Sequence, residues 1–176
     1  ALRGQYPPGS TIKPMLALAG LHHGVTWAEK SMYAGPYYKL PGHERKYRDW
    51  KKGGHGKVDM YKAIIQSCDV YFYNLANNLG IDRMSEFLTL FNLGYKTELD
   101  TWGEAKGLVP TQEWKRGTYG QPWYPGETII TGIGQGYLLT TPLQLAALRL
   151  HTCSLLVHHL YELHVQILDG FLAPAL

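Results

Sequence analysis

Helical periodicity is the clearest pattern in the chain, and long stretches rich in glycine, proline and tyrosine interrupt it. Apolar residues recur at helical spacing after Ser10, which predicts a helix with Ser10 as its N-cap and a stop near Gly24. Pro14 fits the first turn, where a missing N–H is least costly. The apolar face of this helix comprises Ile12, Met15, Leu16, Leu18 and Ala19.

Further helices are predicted on both sides of the sequence Ser67-Cys68-Asp69, and strand signals are scarce. The predicted helices are Val58–Ile65, Val70–Leu79 ended by Gly80, one capped by Asp82 and followed by Gly94, and one opened by Thr141-Pro142 that runs to Arg149. The only β-branched run is Thr128–Thr131. The pattern therefore predicts a mainly helical chain.

Two long segments lack periodicity and are predicted to be loops. The first is Thr26–Gly56, and the second is Lys96–Glu127, with one helical turn after Thr111. A glycine-rich loop follows at Gly132–Gly136. Loops of such length in a folded domain are usually functional or are held down by other groups.

The composition is that of one folded domain, with 176 residues, 45% hydrophobic and 18% charged. The net charge of +3 is concentrated in residues 39–57. Seven basic residues there stand against Glu44 and Asp49; the seven are Lys39, Arg45, Lys46, Arg48, Lys51, Lys52 and Lys57. This loop is either a solvated surface or a binding site for an anionic polymer or partner. No module pattern accompanies it, so we expect no nucleic-acid partner.

The sequence contains no signal peptide and no apolar run of membrane-spanning length. The segment Ser154–Leu176 is the most apolar, but histidines and acids interrupt it. The two cysteines, Cys68 and Cys153, are too few to indicate a disulfide framework.

Ser10 and Lys13 are the first candidates for chemistry, because they place a hydroxyl and an amine three positions apart at a predicted helix start. At this spacing both side chains project from one face, close enough to form a hydrogen bond. A serine needs a base to become a nucleophile, and a desolvated lysine can be that base. N–H groups at a helix start can stabilise an oxyanion. Alone, the pattern is a weak signal and more simply indicates a capping serine beside a solvated lysine.

Other motifs give the serine–lysine pair more weight. Ser-x-x-Lys recurs in penicillin-binding proteins and β-lactamases together with a second serine motif and Lys-Thr-Gly. The stretch Tyr6–Pro14, read as YPPGSTIKP, resembles the active-serine segment of class B penicillin-binding proteins, and Ser67-Cys68-Asp69 resembles their second motif. The segment GIGQGYLLTTPLQLA at 132–146 resembles the stretch that precedes a helix beside the transpeptidase cleft. The segments RKYRDWKKGGHG at 45–56 and GIDRMSEF at 80–87 resemble the penicillin-binding protein 2 branch.

This resemblance implies a serine-type D,D-transpeptidase that forms an acyl-enzyme and cross-links peptidoglycan during cell elongation. It implies that Ser10 is the nucleophile, Lys13 its general base, Ser67 a proton relay and Asp69 a group that holds the substrate or the serine. Gly134, Gln135 and Gly136 would contact substrate. The implied partners are stem peptides ending in D-Ala-D-Ala, β-lactams and the membrane proteins of the elongation complex. The implied location is a periplasmic domain on an inner-membrane anchor, which this chain lacks.

Two departures from the family pattern shape the expected fold. No lysine is followed by Thr-Gly, and the resemblance stops near Leu150. We therefore expect 1–149 to be a partial transpeptidase domain and 150–176 to be an unmatched tail. The fold class expected is a mainly α fragment of the α/β penicillin-recognising transpeptidase and β-lactamase fold, without most of the central sheet. Activity would then be impaired. Two alternatives remain open: a non-catalytic remnant, and a binding module that uses residues 39–57.

The resemblance also implies a structural zinc site, although the chemistry itself needs no cofactor. Asp49, His55 and Cys68 match three family ligands, and Ala34 occupies the position of the fourth, an aspartate. A three-ligand site would be weaker or completed by water. Judged by spacing alone, these residues are more simply a loop acid, a loop histidine and a buried cysteine.

Overall fold

The computed structural model describes residues 1–97 and 102–148, and within these ranges helices dominate. The helices are α1 Lys13–His22, α2 Met60–Ile65, α3 Asp69–Leu79, α4 Ile81–Leu90, α5 Gln112–Tyr119, α6 Pro125–Thr131 and α7 at 142–148. The strands are β1 Met32–Ala34, β2 Tyr37–Lys39, β3 Lys46–Arg48 and β4 Gly56–Val58. The predicted helical character is therefore confirmed. The predicted tail at 150–176 lies outside the described residues.

Helix α3 lies at the centre, and α1, α2, α4 and α6 pack against it. Phe72 is fully buried, and Leu75 and Ala76 are almost so. Helix α6 ends at Gly132, where a Cβ would lie 2.3 Å from the Cβ of Ala76. Glycine therefore permits the chain after α6 to approach α3 closely, and α3 carries Asp69 at its first turn.

The first helix begins later than the sequence predicts. Residues Gly9–Ile12 form a 3-10 turn, and the α-helix starts at Lys13 with Ile12 as its N-cap. The sequence predicted Ser10 as the N-cap of this helix, and that prediction is wrong. The turn is fixed by the Gly9 N–H, which donates to the Gly134 carbonyl at 2.8 Å, and by the Thr11 hydroxyl, which donates to the Pro8 carbonyl at 2.6 Å. These contacts hold the chain in a tighter turn before the helix.

The segment predicted as a loop at 26–56 contains strands. Strands β1 and β4 pair antiparallel, with Ala34 opposite Gly56. Strands β2 and β3, which lie between them in the sequence, form a second antiparallel pair. Each strand has three residues, too few for an alternating pattern to stand out in the sequence. Ala34, Tyr47 and Val58 are their buried members, and they attach the strands to the helical core.

The run Thr128–Thr131, which carried the one strand signal, is helical and forms part of α6. Pro125 lies in its first turn, and Glu127 accepts a hydrogen bond from the Tyr124 N–H at 2.8 Å. This capping and the burial of Ile129 outweigh the weak preference of β-branched residues for strands. Glu127 also pairs with the buried Lys115, a contact that the sequence did not suggest.

Thr141 caps α7 as predicted, because its hydroxyl accepts from the Gln144 N–H at 3.1 Å. The Gln144 side chain then donates to the carbonyls of Tyr95 and Lys106 at 2.7 and 2.8 Å. Helix α5 also extends beyond the single turn that the sequence predicted after Thr111. None of the helices among the described residues has the length and apolar character needed to cross a membrane.

Candidate active site

Ser10 lies exposed in the 3-10 turn before α1. Its neighbour Gly9 has a φ of +58° and is hydrogen-bonded to Gly134. A Cβ on Gly134 would lie 2.2 Å from the Gly9 carbonyl oxygen, so only glycine allows the two backbones to meet here. The glycine-rich loop thus supports the turn that presents the Ser10 hydroxyl to solvent.

Lys13 is the first residue of α1 and is almost completely buried, with 1% of its surface exposed. Its ammonium group has three oxygen acceptors. These are Asp69 Oδ1 at 2.6 Å, the Ser67 carbonyl at 2.9 Å and Ser67 Oγ at 3.0 Å. A buried cation needs such compensation, because burial without partners is costly.

Ser67 and Asp69 lie at the junction of α2 and α3. Ser67 has a φ of +51°, a left-handed value that is uncommon for a residue other than glycine. This conformation directs its hydroxyl to Ser10 Oγ, to which it donates at 2.9 Å. Residues far apart in sequence thus form one hydrogen-bonded chain from Lys13 through Ser67 to Ser10.

The predicted direct hydrogen bond between Ser10 and Lys13 is not the arrangement found. Among the described contacts, the lysine amine is bonded to Ser67 and Asp69, and Ser67 bridges to Ser10. Ser67 lies between the two side chains, because its left-handed backbone directs the hydroxyl to Ser10 Oγ. The structure nevertheless brings all four predicted side chains together.

An open cleft of about 380 Å³ lies over this group. Ser10, Ser67, Asp69 and Gln135 line it, together with two residues that the sequence did not single out, Trp50 and Ile133. Gln135 therefore lines the cleft. Gly134 and Gly136 are not among its lining residues, and Gly134 instead packs against Gly9. One signal could have indicated Trp50, which directly follows the candidate metal ligand Asp49.

Asp49, His55 and Cys68 form a buried cluster beside the turn that carries Ser67. Their ligand atoms all lie within 4.8 Å of one another. Asp49 Oδ1 is 3.0 Å from His55 Nε2, and Asp49 Oδ2 is 3.6 Å from Cys68 Sγ. Ala34 is buried next to them, and its carbonyl accepts from the His55 N–H at 2.8 Å. The structure thus brings together the three predicted ligand types and the alanine.

The protonation of this cluster follows from its surroundings. Burial raises the pKa of Asp49, but hydrogen bonds from the Lys51 and Val70 N–H groups and the His55 ring together lower it below its ordinary value. Burial raises the pKa of the Cys68 thiol to about 11. The cluster therefore combines a carboxylate with a thiol that stays protonated at neutral pH unless a cation displaces its proton.

The same residues have counterparts in known proteins. The family described as penicillin binding protein transpeptidase domain matches residues 1–149. The chain belongs to the penicillin-binding protein transpeptidase family. The helical arrangement around Ser10 and Lys13 is accordingly that of the transpeptidase fold, as predicted.

Relatives and solved structures of this transpeptidase family agree with the assignment. The chain is 54% identical over 147 residues to peptidoglycan D,D-transpeptidase MrdA of Acinetobacter baumannii and 43% identical over 146 residues to that of Escherichia coli K12. These alignments cover 83% of this chain but only 22% and 23% of the relatives. The chain thus spans roughly a quarter of the length of these relatives.

Two solved structures share the fold over most of the chain. Pseudomonas aeruginosa PBP2 in complex with WCK 5153 superposes with a TM-score of 0.82 at 54% identity, covering 84% of this chain and 33% of that one. PBP2 of Helicobacter pylori, in its complex with MreC, gives a TM-score of 0.78 at 39% identity, covering 82% and 27%. The predicted likeness to the penicillin-binding protein 2 branch is confirmed.

Proposed function

We propose that this chain carries the acylation centre of a peptidoglycan D,D-transpeptidase of the penicillin-binding protein 2 type. The observation that carries the proposal is the hydrogen-bonded series Asp69–Lys13–Ser67–Ser10 at the base of one cleft. The relatives named as peptidoglycan D,D-transpeptidases support the substrate class. The substrate would be a stem peptide ending in D-Ala-D-Ala.

Ser10 is the nucleophile in this proposal. Its oxygen is exposed at the cleft and accepts a hydrogen bond from Ser67. Attack on the carbonyl carbon before the last D-alanine forms an ester between the stem peptide and Ser10. The C–N bond breaks, and D-alanine leaves as a free amine after it takes up a proton. β-Lactams would acylate the same oxygen.

Lys13 acts as the base that receives the Ser10 proton, with Ser67 as the group between them. The Ser67 hydroxyl can pass on one proton while it accepts another, so it joins the two ends of the relay. The reactive form has a neutral Lys13 amine, and the Asp69 carboxylate stabilises the ammonium that forms. The same relay run in reverse delivers the proton to the leaving amine.

The second half-reaction uses the same groups. An amine from a neighbouring strand attacks the ester carbonyl, and Lys13 takes its proton through Ser67. The new amide cross-links two strands, and Ser10 regains its hydroxyl proton. Gln135 lines the cleft and would contact the stem peptide, whereas Gly134 and Gly136 would shape the loop that carries it. In a longer protein, this site would belong to a periplasmic domain that works with membrane proteins of the elongation complex.

We also propose that Asp49, His55 and Cys68 hold a structural zinc ion. Sulfur, nitrogen and oxygen donors suit zinc, whose tetrahedral ligands lie about 3.5 Å apart. The 3.0 and 3.6 Å separations from Asp49 fit this spacing. Ala34 supplies no ligand atom, so the fourth position is open to water. Bound zinc would supply folding free energy to the turn that carries Ser67 and would take no part in the acyl transfer.

A second candidate function uses the basic segment 39–57. Lys46, Arg48 and Lys52 line a cleft of about 320 Å³ together with Tyr37. Such a cluster would attract an anionic polymer. Arg48→Gln should weaken retention on an anionic polysaccharide at low salt, and Lys30→Gln, outside this cleft, should not. Equal retention of both variants would exclude the site.

The transpeptidase proposal is tested by release of D-alanine from a peptide ending in D-Ala-D-Ala. The full chain should release D-alanine, and the activity should be lost in Ser10→Ala but retained in Ser31→Ala, which removes an exposed hydroxyl elsewhere. Release that continues undiminished in Ser10→Ala would refute the assignment of the nucleophile.

A further inference from the structure

The left-handed backbone of Ser67 is unfavourable for a serine, so contacts with other residues must stabilise it. A left-handed backbone costs a serine on the order of 1 kcal/mol compared with glycine. It is nevertheless this conformation that places the hydroxyl between Ser10 and Lys13. Something in the surrounding structure must therefore hold the turn.

Lys13 Nζ donates to the Ser67 carbonyl at 2.9 Å, and the Ser67 N–H donates to the Ile64 carbonyl at 3.1 Å. Trp50 makes further contacts that hold the turn. Its ring Nε1–H donates to the carbonyls of Gln66 at 3.1 Å and Ser67 at 3.2 Å. Its backbone N–H donates to Asp69 Oδ2 at 3.3 Å, which leaves Oδ1 of the same carboxylate facing Lys13. One residue thus restrains the backbone of Ser67 and the orientation of Asp69.

Burial does not explain the tryptophan, because 63% of its surface is exposed. The preceding residue, Asp49, fixes the loop that carries it, because the Asp49 carboxylate accepts a hydrogen bond from the Val70 N–H at 3.0 Å. The His55 ring contacts the indole edge-on, with the centroids 5.5 Å apart. The indole is therefore held from one side, and its N–H is directed at the turn.

We propose that Trp50 is a positioning residue that keeps Ser67 in its left-handed conformation through its ring N–H and thereby keeps the Ser10–Ser67–Lys13 relay connected. The inference rests on the proposed acyl-transfer function for its kinetic consequence. Its structural half does not depend on that function. An indole that only formed a wall of the cleft would act through its shape, whereas the positioning role depends on the N–H donor.

The test replaces Trp50 with 3-benzothienylalanine, which has nearly the same shape but no N–H. The control places the same analogue at Trp123, whose ring N–H donates to Thr128 Oγ1 at 2.8 Å away from the cleft-lining residues. Carbon-labelled serine reports the Ser67 backbone by NMR, with Ser67→Ala identifying its signals. Acylation by a fluorescent penicillin gives the saturating rate and the apparent affinity separately.

We expect the analogue at Trp50 to move the Ser67 carbon signals away from left-handed values and to lower the saturating acylation rate about tenfold, since hydrogen bonds of ordinary strength are lost. The apparent affinity should stay unchanged, and the Trp123 variant should match the parent protein. Unmoved Ser67 signals would overturn the proposal, as would a change in affinity alone. If the parent protein is not acylated, the proposed function fails, and the Ser67 signals alone decide the role of Trp50.

Discussion

Lys13 Nζ lies 2.6 Å from Oδ1 of Asp69, although the two residues are 56 positions apart in the chain. The pair joins the start of α1 to the start of α3, and both side chains are largely buried. In the proposed mechanism, this carboxylate stabilises the ammonium that forms when Lys13 accepts a proton.

Asp69→Asn should therefore slow the acylation of Ser10 about a hundredfold, within the range typical of general acid–base groups. Asparagine keeps the shape of the side chain but removes the charge that faces Lys13. The rate of penicillin acylation at saturation measures the effect. Asp82→Asn is the control, because Asp82 is an exposed acid whose partner is Gln112. Equal rates for both variants would contradict the role of Asp69.

The left-handed backbone of Ser67 predicts an unusual order of stabilities. Ser67→Gly should unfold with a free energy about 1 kcal/mol higher than Ser67→Ala, because alanine is strained at this φ. Both variants should lose acylation, since both lack the relay hydroxyl. Denaturant unfolding measures the difference.

Ser85 provides the matched control for this comparison, because it lies within α4, where backbone angles are helical. There the order should reverse, with Ser85→Ala more stable than Ser85→Gly by about 1 kcal/mol. The same order at both positions would show that Ser67 is not strained.

The sequence predicted which side chains come together at the candidate site better than it predicted the structure of the loops. Ser10, Lys13, Ser67 and Asp69 could be named because their spacing recurs in a known family, and the helices followed from periodicity. Trp50 was not predicted because an exposed tryptophan in a loop has no periodic pattern, and only its place directly after Asp49 could have indicated it. The direct Ser10–Lys13 hydrogen bond is not among the described contacts, because Ser67, far along the chain, lies between the two side chains. Contacts of this kind cannot be read from local sequence.

Zinc should bind to the cluster of Asp49, His55 and Cys68 and stabilise the fold. With free zinc at about a hundredfold excess over Kd, the expected gain is about 2.7 kcal/mol in the free energy of unfolding. Cys68→Ser and His55→Ala should abolish the gain, and Ala34→Asp should tighten binding by adding a fourth ligand. Thermal unfolding with and without a chelator measures it.

His43→Ala is the matched control for zinc, because His43 is exposed and outside the cluster. It should respond to zinc as the parent protein does. Elemental analysis showing no zinc above background after incubation, together with an unchanged melting temperature, would remove the site.

Buried tyrosines should limit the stability of the fold at high pH. Burial raises the pKa of Tyr38, Tyr71 and Tyr73 above the ordinary value near 10. Their contribution to stability is thus fully present below about pH 10 and is lost as the pH rises towards their folded-state pKa values. Tyrosinate absorbance should show these three ionising only as the protein unfolds.

Tyr73→Phe tests the cause, because it removes an ionisable hydroxyl that donates to the Arg48 carbonyl at 3.2 Å. This variant should be less stable at neutral pH but should lose less stability between neutral and alkaline pH. Ionisation of all thirteen tyrosines together near their ordinary pKa in the folded protein would contradict the account.

Mass spectrometry of the protein after incubation with a fluorescent penicillin tests whether Ser10 is the acyl-accepting nucleophile. We expect one covalent adduct, mapped to the peptide that contains Ser10, absent from Ser10→Ala and retained in Ser31→Ala, which removes an exposed hydroxyl elsewhere. An adduct on another residue, or the absence of any adduct at saturating penicillin, would contradict it.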